Sequence, residues 1–65
     1  MHTDELIRMA NQIGQYFASY PEDTALQGIR EHIQRFWEPR MRAQLDAHIA
    51  AGGQGLLAQV QRALQ

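Results

Sequence analysis

Apolar side chains recur at alternating spacings of four and three residues along the chain, which is the periodicity of amphipathic helices. In the first segment the repeating positions are Leu6, Ala10, Ile13, Phe17 and Tyr20. This stripe predicts a first helix over residues 4–19, with Thr3 as its N-cap. Pro21 ends the helix, because proline lacks a backbone donor and disfavours helical geometry in the residue before it.

A second apolar stripe predicts a helix over residues 23–37. Its positions are Leu26, Ile29, Ile33 and Phe36, with Trp37 alongside. Gly28 lies in the interior of this segment, where glycine costs about 1 kcal/mol relative to alanine. Two interpretations of Gly28 stay open: another helix approaches closely at this position, or the glycine has no structural reason.

Two further helices complete the predicted organisation. Pro39 can open a third helix over residues 39–50, because proline is tolerated in the first helical turn. Gly52 and Gly53 then supply a stop, since glycine enters left-handed backbone geometry without penalty. The last segment, residues 56–64, places its apolar residues on one side and is too short to be stable unless it docks.

These elements predict an all-α fold, a small bundle of three helices plus a short C-terminal helix, in a single helical domain over residues 1–65. The large side chains expected to face inward include Leu6, Ile13, Phe17, Ile29, Ile33, Phe36, Trp37, Leu45, Val60 and Leu64. A chain this short buries only about 60% of its unfolded surface. Because it has no cysteine and therefore no disulfide, we expect a partner to add stability.

Composition narrows the functional classes. Without thiolates the chain cannot hold an iron–sulfur cluster of the usual kind or a cysteine zinc site. The net charge of −1 argues against a broad contact with nucleic acid or anionic lipid. No apolar run approaches the roughly 20 residues that span a bilayer, and the N-terminus lacks the basic and apolar regions of a signal peptide. We therefore expect a cytoplasmic protein without a membrane segment.

No group of residues has the pattern of an active site. His2, His32 and His48 do not have the spacing of a metal-ligand set. The glycine-rich residues 52–55 lack the Gly-Lys-Ser/Thr ending of a phosphate-binding loop, and no strand precedes them. Three carboxylates each have an arginine at helical spacing: Glu31, Glu38 and Asp46. A nearby arginine favours the charged form of a carboxylate, whereas a general acid needs the protonated form. We expect no catalytic, cofactor-binding or metal-binding residues.

Residues 35–42 are the most informative stretch, because aromatic, methionine and arginine side chains are concentrated there. Such side chains are enriched at protein interfaces and their hot spots. The candidate partner-binding residues in this stretch are Arg35, Phe36, Trp37, Arg40, Met41 and Arg42. The alternative is a core aromatic pair at a helix corner with solvated arginines around it. A helical nucleic-acid-binding regulator is a further alternative, which interleaved carboxylates make less favourable.

A second candidate strip lies on the first helix, where Asn11, Gln12 and Tyr16 adjoin the apolar stripe. Amide side chains in such a place could bond the backbone of a partner. The alternative is that they cap or bridge helices within this chain.

Several ordered motifs resemble the delta subunits of soluble NAD-dependent molybdenum formate dehydrogenases. The N-terminal signature is similar over residues 9–14 (MANQIG), followed by Tyr16-Phe17 and Pro21, and the central motif over residues 35–42 (RFWEPRMR). Leu45, His48, residues 52–56 (GGQGL), Val60 and Ala63-Leu64 also fit. Ala58 departs from the pattern, because many relatives have there a proline that opens the last helix.

The resemblance implies a non-catalytic accessory subunit of a cytoplasmic enzyme that oxidises formate to carbon dioxide and reduces NAD. Its partners would be the larger subunits, chiefly the catalytic one, and these would carry the molybdopterin cofactor, the iron–sulfur clusters and FMN. The implied role is to assist assembly, stability or cofactor maturation. A maturation chaperone that dissociates after cofactor insertion is the alternative.

Overall fold

The computed structural model describes residues 2–65, and every regular element within them is a helix. The four helices are α1 (Thr3–Tyr16), α2 (Glu22–Phe36), α3 (Pro39–Ala50) and α4 (Ala58–Leu64). Helix α1 packs against α2, α3 and α4, and α2 also packs against α4. The all-α class is therefore confirmed, with three longer helices and one short C-terminal helix.

The first helix begins one residue earlier and ends three residues earlier than predicted. Its N-cap is His2, not Thr3, because the His2 Nδ1 accepts the backbone N–H of Asp4 at 3.3 Å. At the other end the N–H groups of Ala18 and Tyr20 donate to the carbonyls of Gln15 and Phe17, which form turns instead of helix. The chain leaves α-helical geometry before Pro21, so the proline does not set the exact end of α1.

The corner between α2 and α3 follows from Pro39. Trp37 and Glu38 have extended backbone geometry, with ψ angles of 138° and 150°. The residue before a proline avoids helical geometry, which explains the geometry at Glu38. As predicted, Pro39 is the first residue of α3 and Ala50 the last. Helix α2 is one residue shorter at its C-terminal end than predicted, because Trp37 is its C-cap.

The turn from α3 to α4 uses glycine in the manner predicted. Gly52, Gly53 and Gly55 have positive φ angles of 123°, 65° and 90°, which other residues rarely adopt. The Gly53 N–H donates to the His48 carbonyl at 2.9 Å and so closes the end of α3. Helix α4 begins at Ala58, two residues later than predicted.

A buried apolar cluster holds the helices together. Its largest members are Leu6, Ile29, Ile33, Trp37, Leu45, Leu56 and Val60. Ile13, Phe17 and Leu64 pack at its edge and are partly buried. Phe36 is the exception among the residues expected to face inward, because it is 70% exposed.

The placement of Phe36 is wrong for a simple geometric reason. The buried positions of α2 recur every four residues, at Ala25, Ile29 and Ile33, and Trp37 continues the row. Phe36 precedes Trp37 by one residue, about 100° around the helix, and its ring lies 4.8 Å from that of His32. Only one of the two neighbouring aromatic residues can therefore reach the core.

Two helical glycines allow close packing. A Cβ atom at Gly14 would lie 2.6 Å from the Val60 Cγ2 atom, so α4 could not sit as close to α1 with any other residue there. A Cβ atom at Gly28 would overlap the ring of Phe17. Of the two interpretations of Gly28, close approach applies, but the approaching group is the Phe17 ring that follows α1 and not another helix.

The expected ion pairs along the helices do not form. Within residues 2–65 no arginine nitrogen lies within 4.0 Å of a carboxylate of Glu31, Glu38 or Asp46. An arginine ion pair forms elsewhere: Arg62 Nε lies 3.3 Å from Glu22 Oε2 and joins α4 to the start of α2. Both side chains are at least half exposed, so the pair contributes little to stability.

Candidate functional site

An open groove lies between α1 and α2, and we call it the aromatic groove. Its α1 side consists of Met9, Gln12, Ile13, Tyr16 and Phe17. Its α2 side consists of His32, Phe36 and Trp37. The cavity volume is about 630 Å³, which is within the range of protein sites that bind ligands or side chains.

Local helix geometry explains why these residues meet. On α1 the lining residues recur at spacings of three and four, so they share one side of the helix. On α2, His32 and Phe36 are four residues apart and also share a side. The two sides face each other because the Phe17 ring lies against Gly28 and holds the helices together at this point.

Several aromatic rings at this end of the molecule remain open to solvent. Phe36 is 70% exposed, Tyr16 is 69% exposed and Tyr20 is 44% exposed. Tyr16 and Phe17 make an edge-on contact with ring centroids 5.0 Å apart, and Tyr20 extends the row at 5.4 Å from Phe17. Large exposed aromatic groups on one side of a small domain are typical of a surface that binds another protein.

The groove offers hydrogen-bond donors but no carboxylate. Gln12, Tyr16 and His32 each bring a polar group to an otherwise apolar lining. Trp37 is 6% exposed, and within residues 2–65 its indole N–H has no hydrogen-bond acceptor. The indole nitrogen is not among the buried unpartnered atoms of the described residues, so it is open to solvent and can donate to water or to a ligand in the groove.

The residues that the sequence predicts for docking do not all lie on one surface of the structure. The aromatic groove brings together Gln12, Tyr16, Phe36 and Trp37. Arg35 and Arg40 are exposed near the α2–α3 corner and, within residues 2–65, make no ion pair.

The remaining two residues of the central stretch lie away from the groove. Met41 packs, partly buried, against the core. Arg42 lines a different cavity of about 320 Å³, together with Arg30 and Asp46. Its Nε atom is buried there without a hydrogen-bond partner in the described part of the chain. Arg42 and the groove residues therefore belong to separate surfaces.

Asn11 has a role inside the molecule. Its Nδ2 donates to the Gly55 carbonyl at 3.0 Å, and its Oδ1 accepts the Leu57 N–H at 2.9 Å. Both bonds tie α1 to the turn before α4, so Asn11 is a bridge between helices within the chain. Gln12 is exposed in the groove and makes no such bridge within residues 2–65. Of the two interpretations of this amide pair, the internal one applies to Asn11.

We expect Asn11→Ala to lower the free energy of unfolding by about 1–2 kcal/mol, because two hydrogen bonds that hold the start of α4 are lost. Urea denaturation followed by circular dichroism measures this difference. Gln12→Ala is the matched control, since it removes a neighbouring amide without an internal bond, and we expect its effect to be below about 0.5 kcal/mol. Equal losses in the two variants would contradict the bridging role.

Sequence reasoning missed part of the groove. Met9, Ile13, Phe17 and His32 line it but are not among the partner-binding residues that the sequence predicts. The available signal was the i, i+4 spacing of His32 and Phe36, which places a polar and an aromatic ring together at the edge of the apolar stripe. The pattern on one helix does not show which part of its stripe another helix covers.

Residues 2–65 contain neither a metal-ligand cluster nor a membrane-spanning helix. No group of three or more histidine or acidic side chains is arranged to hold a metal ion. No helix is both long enough and apolar enough to cross a bilayer.

The described features define a small all-helical protein with an open aromatic groove. The family model of the NADH-dependent formate dehydrogenase delta subunit, FdsD, matches residues 5–64. The chain therefore belongs to this family, which confirms the resemblance found in the sequence. No curated protein and no solved structure gives a significant match.

Proposed function

We propose that the chain is a non-catalytic accessory subunit of a cytoplasmic NAD-dependent formate dehydrogenase, and that it docks on the catalytic subunit through the aromatic groove. Docking would assist assembly, stability or cofactor maturation. The observation that carries the proposal is the exposure of Tyr16 and Phe36, at 69% and 70%, on the two sides of one groove.

Physical chemistry supports a docking role for this surface. An exposed phenylalanine and tyrosine gain free energy when a partner removes their apolar area from water. Rigid aromatic side chains also lose little conformational entropy on binding, so they serve well as anchors. The family is named for a subunit of a larger enzyme, which makes the other subunits the natural partners.

The residues of this chain do not fit the iron–sulfur clusters that the family resemblance implies for the whole enzyme. Such clusters usually require thiolate ligands, and the sequence has no cysteine. We propose that the larger subunits hold these clusters, together with the molybdopterin cofactor, FMN and NAD that the resemblance implies. The chain's own contribution would be binding, not electron transfer.

The test is co-purification of the tagged chain with the larger subunits from cells that express the complete enzyme. We expect the catalytic subunit to elute with the tagged chain in a fixed ratio, both in the cofactor-loaded and in the cofactor-free state. Recovery only with the cofactor-free catalytic subunit would instead identify a dissociable maturation chaperone. Failure to recover any larger subunit would contradict the proposal.

A further inference from the structure

We propose that the aromatic groove binds an amphipathic helix of a larger formate dehydrogenase subunit, with apolar side chains in the groove and a carboxylate against the α2–α3 corner. This inference rests on the proposed docking function and specifies the occupant. The partner element is defined by its chemistry: two turns of helix with an acidic residue at one end.

The dimensions of the groove favour a short helical segment. Met9 and Tyr16 mark its extent along α1, and seven residues at 1.5 Å each correspond to about 10 Å. This length accommodates about two turns of a partner helix, whose apolar residues at i, i+3 or i+4, and i+7 point the same way. The polar groups of Gln12 and His32 lie within the lining, so the occupant needs some acceptors as well as apolar side chains.

The charge at the α2–α3 corner, next to Phe36 and Trp37 in the chain, favours an acidic group. Arg35 immediately precedes Phe36 and follows His32 by three residues, and Arg40 follows Trp37 by three residues. Both guanidinium groups are exposed and without an ion pair in the described residues, even though Glu38 lies between them in sequence. A guanidinium group binds a carboxylate through two parallel hydrogen bonds, so this corner suits an aspartate or glutamate of the partner.

Trp37 adds a hydrogen-bond donor to the groove. Its side chain is nearly buried and lines the groove, but its indole nitrogen is not among the buried unpartnered atoms of residues 2–65 and is therefore open to solvent. A partner that contacts the groove can supply a carboxylate or carbonyl oxygen to this donor. An amphipathic segment can use the donor, whereas a purely apolar one would leave it without a partner.

A second copy of this chain is a less suitable occupant. In a two-fold symmetric contact centred on Phe36, the same surface of both copies would meet. Arg35 is adjacent to Phe36, so the arginines of the two copies would approach each other. Like charges in an interface are unfavourable, which makes a partner of opposite charge the better match.

The experiment uses the complete complex with a photo-reactive Phe36→p-benzoylphenylalanine variant. After irradiation, mass spectrometry identifies the cross-linked peptide. We expect a segment of a larger subunit whose apolar residues recur at helical spacing and which has an aspartate or glutamate within one turn of the cross-link. The same photo-reactive residue at Arg62, on α4 and outside the groove, is expected not to label that segment.

Charge reversal provides the second measurement. We expect Arg35→Glu combined with Arg40→Glu to lower recovery of the larger subunit about tenfold, and reversal of the cross-linked acidic residue to restore it. Arg62→Glu is the charge-matched control and is expected to keep recovery near the original level, because its ion pair with Glu22 is exposed. Circular dichroism confirms that each variant is folded.

The outcomes separate this inference from the proposed function. Labelling of a second copy, of nucleic acid or of a segment without an acidic residue would overturn the inference, although the subunit role could still hold. The same applies if the doubly reversed variant binds as well as the original chain. If the unmodified chain does not bind any larger subunit, the proposed function itself is wrong.

Discussion

The double variant Tyr16→Ser and Phe36→Ser is expected to lose affinity for the larger subunits by a factor of about one hundred or more. Each aromatic side chain has the exposure and the position of an interface anchor, and such anchors contribute about 2 kcal/mol or more when they are removed. Affinity of the purified chain for the larger subunits, or its recovery with them from cells, measures the loss.

The same double variant is expected to fold almost as well as the original chain. Tyr16 and Phe36 are mostly exposed, so their ring contacts, with Phe17 at 5.0 Å and His32 at 4.8 Å, contribute only about 0.5 kcal/mol each. Loss of binding with preserved helical content is therefore the diagnostic result.

Tyr20→Ser is the matched control for the aromatic groove. Tyr20 is 44% exposed and its ring lies 5.4 Å from that of Phe17, but it does not line the groove. We expect this variant to keep most of the binding. If Tyr20→Ser and the double variant weakened binding equally, general surface apolarity and not the groove would be responsible. Unchanged binding by the double variant would show that docking occurs elsewhere.

The largest effect on stability is expected from Ile29→Ala. Ile29 is completely buried, and its cluster joins α2 to residues of the other three helices. Removing its branched side chain costs about 2–5 kcal/mol, through lost burial and the cavity that remains. A domain of this size has a small margin of stability, so we expect a substantial unfolded fraction at 37 °C. Thermal and urea denaturation measure the change.

Ile49→Ala is the matched control for this substitution. Ile49 is also helical, so both substitutions by alanine gain the same helix propensity. Because Ile49 is only partly buried at the edge of the core, its substitution loses less buried area than that of Ile29. We expect Ile49→Ala to cost less than half as much as Ile29→Ala. Equal losses would contradict the difference in burial between Ile29 and Ile49.

Proline, glycine and apolar spacing predicted the helices well because their effects are local. Pro39 fixes the start of α3 through its ring and its effect on Glu38, whatever packs nearby. The positive φ angles of Gly52 and Gly53 likewise follow from the residue type, because glycine has no Cβ atom. Residue preference alone did not identify the N-cap of α1, because the His2 ring, and not Thr3, accepts the hydrogen bond there.

The candidate site was predicted only in part, because it depends on which side of each helix is covered. Phe36 and Trp37 are neighbours in sequence, but the tertiary structure buries one and exposes the other. Arg40 and Arg42 are two residues apart on α3 and lie on different surfaces. Residue types indicated the region of the α2–α3 corner, whereas the direction of each side chain depends on how the helices pack.

By itself the sequence determined the all-helical class, the approximate helices and membership of the delta-subunit family, because these follow from local backbone preferences and from the order of motifs. Only the tertiary structure decided that Asn11 bridges to the turn before α4 and that Tyr16 and Phe36 face each other across a groove. The physical reason is that a helical stripe shows only which residues are apolar. Whether each of them is buried depends on how closely the helices pack, and Gly14, Gly28 and the Phe17 ring determine that distance.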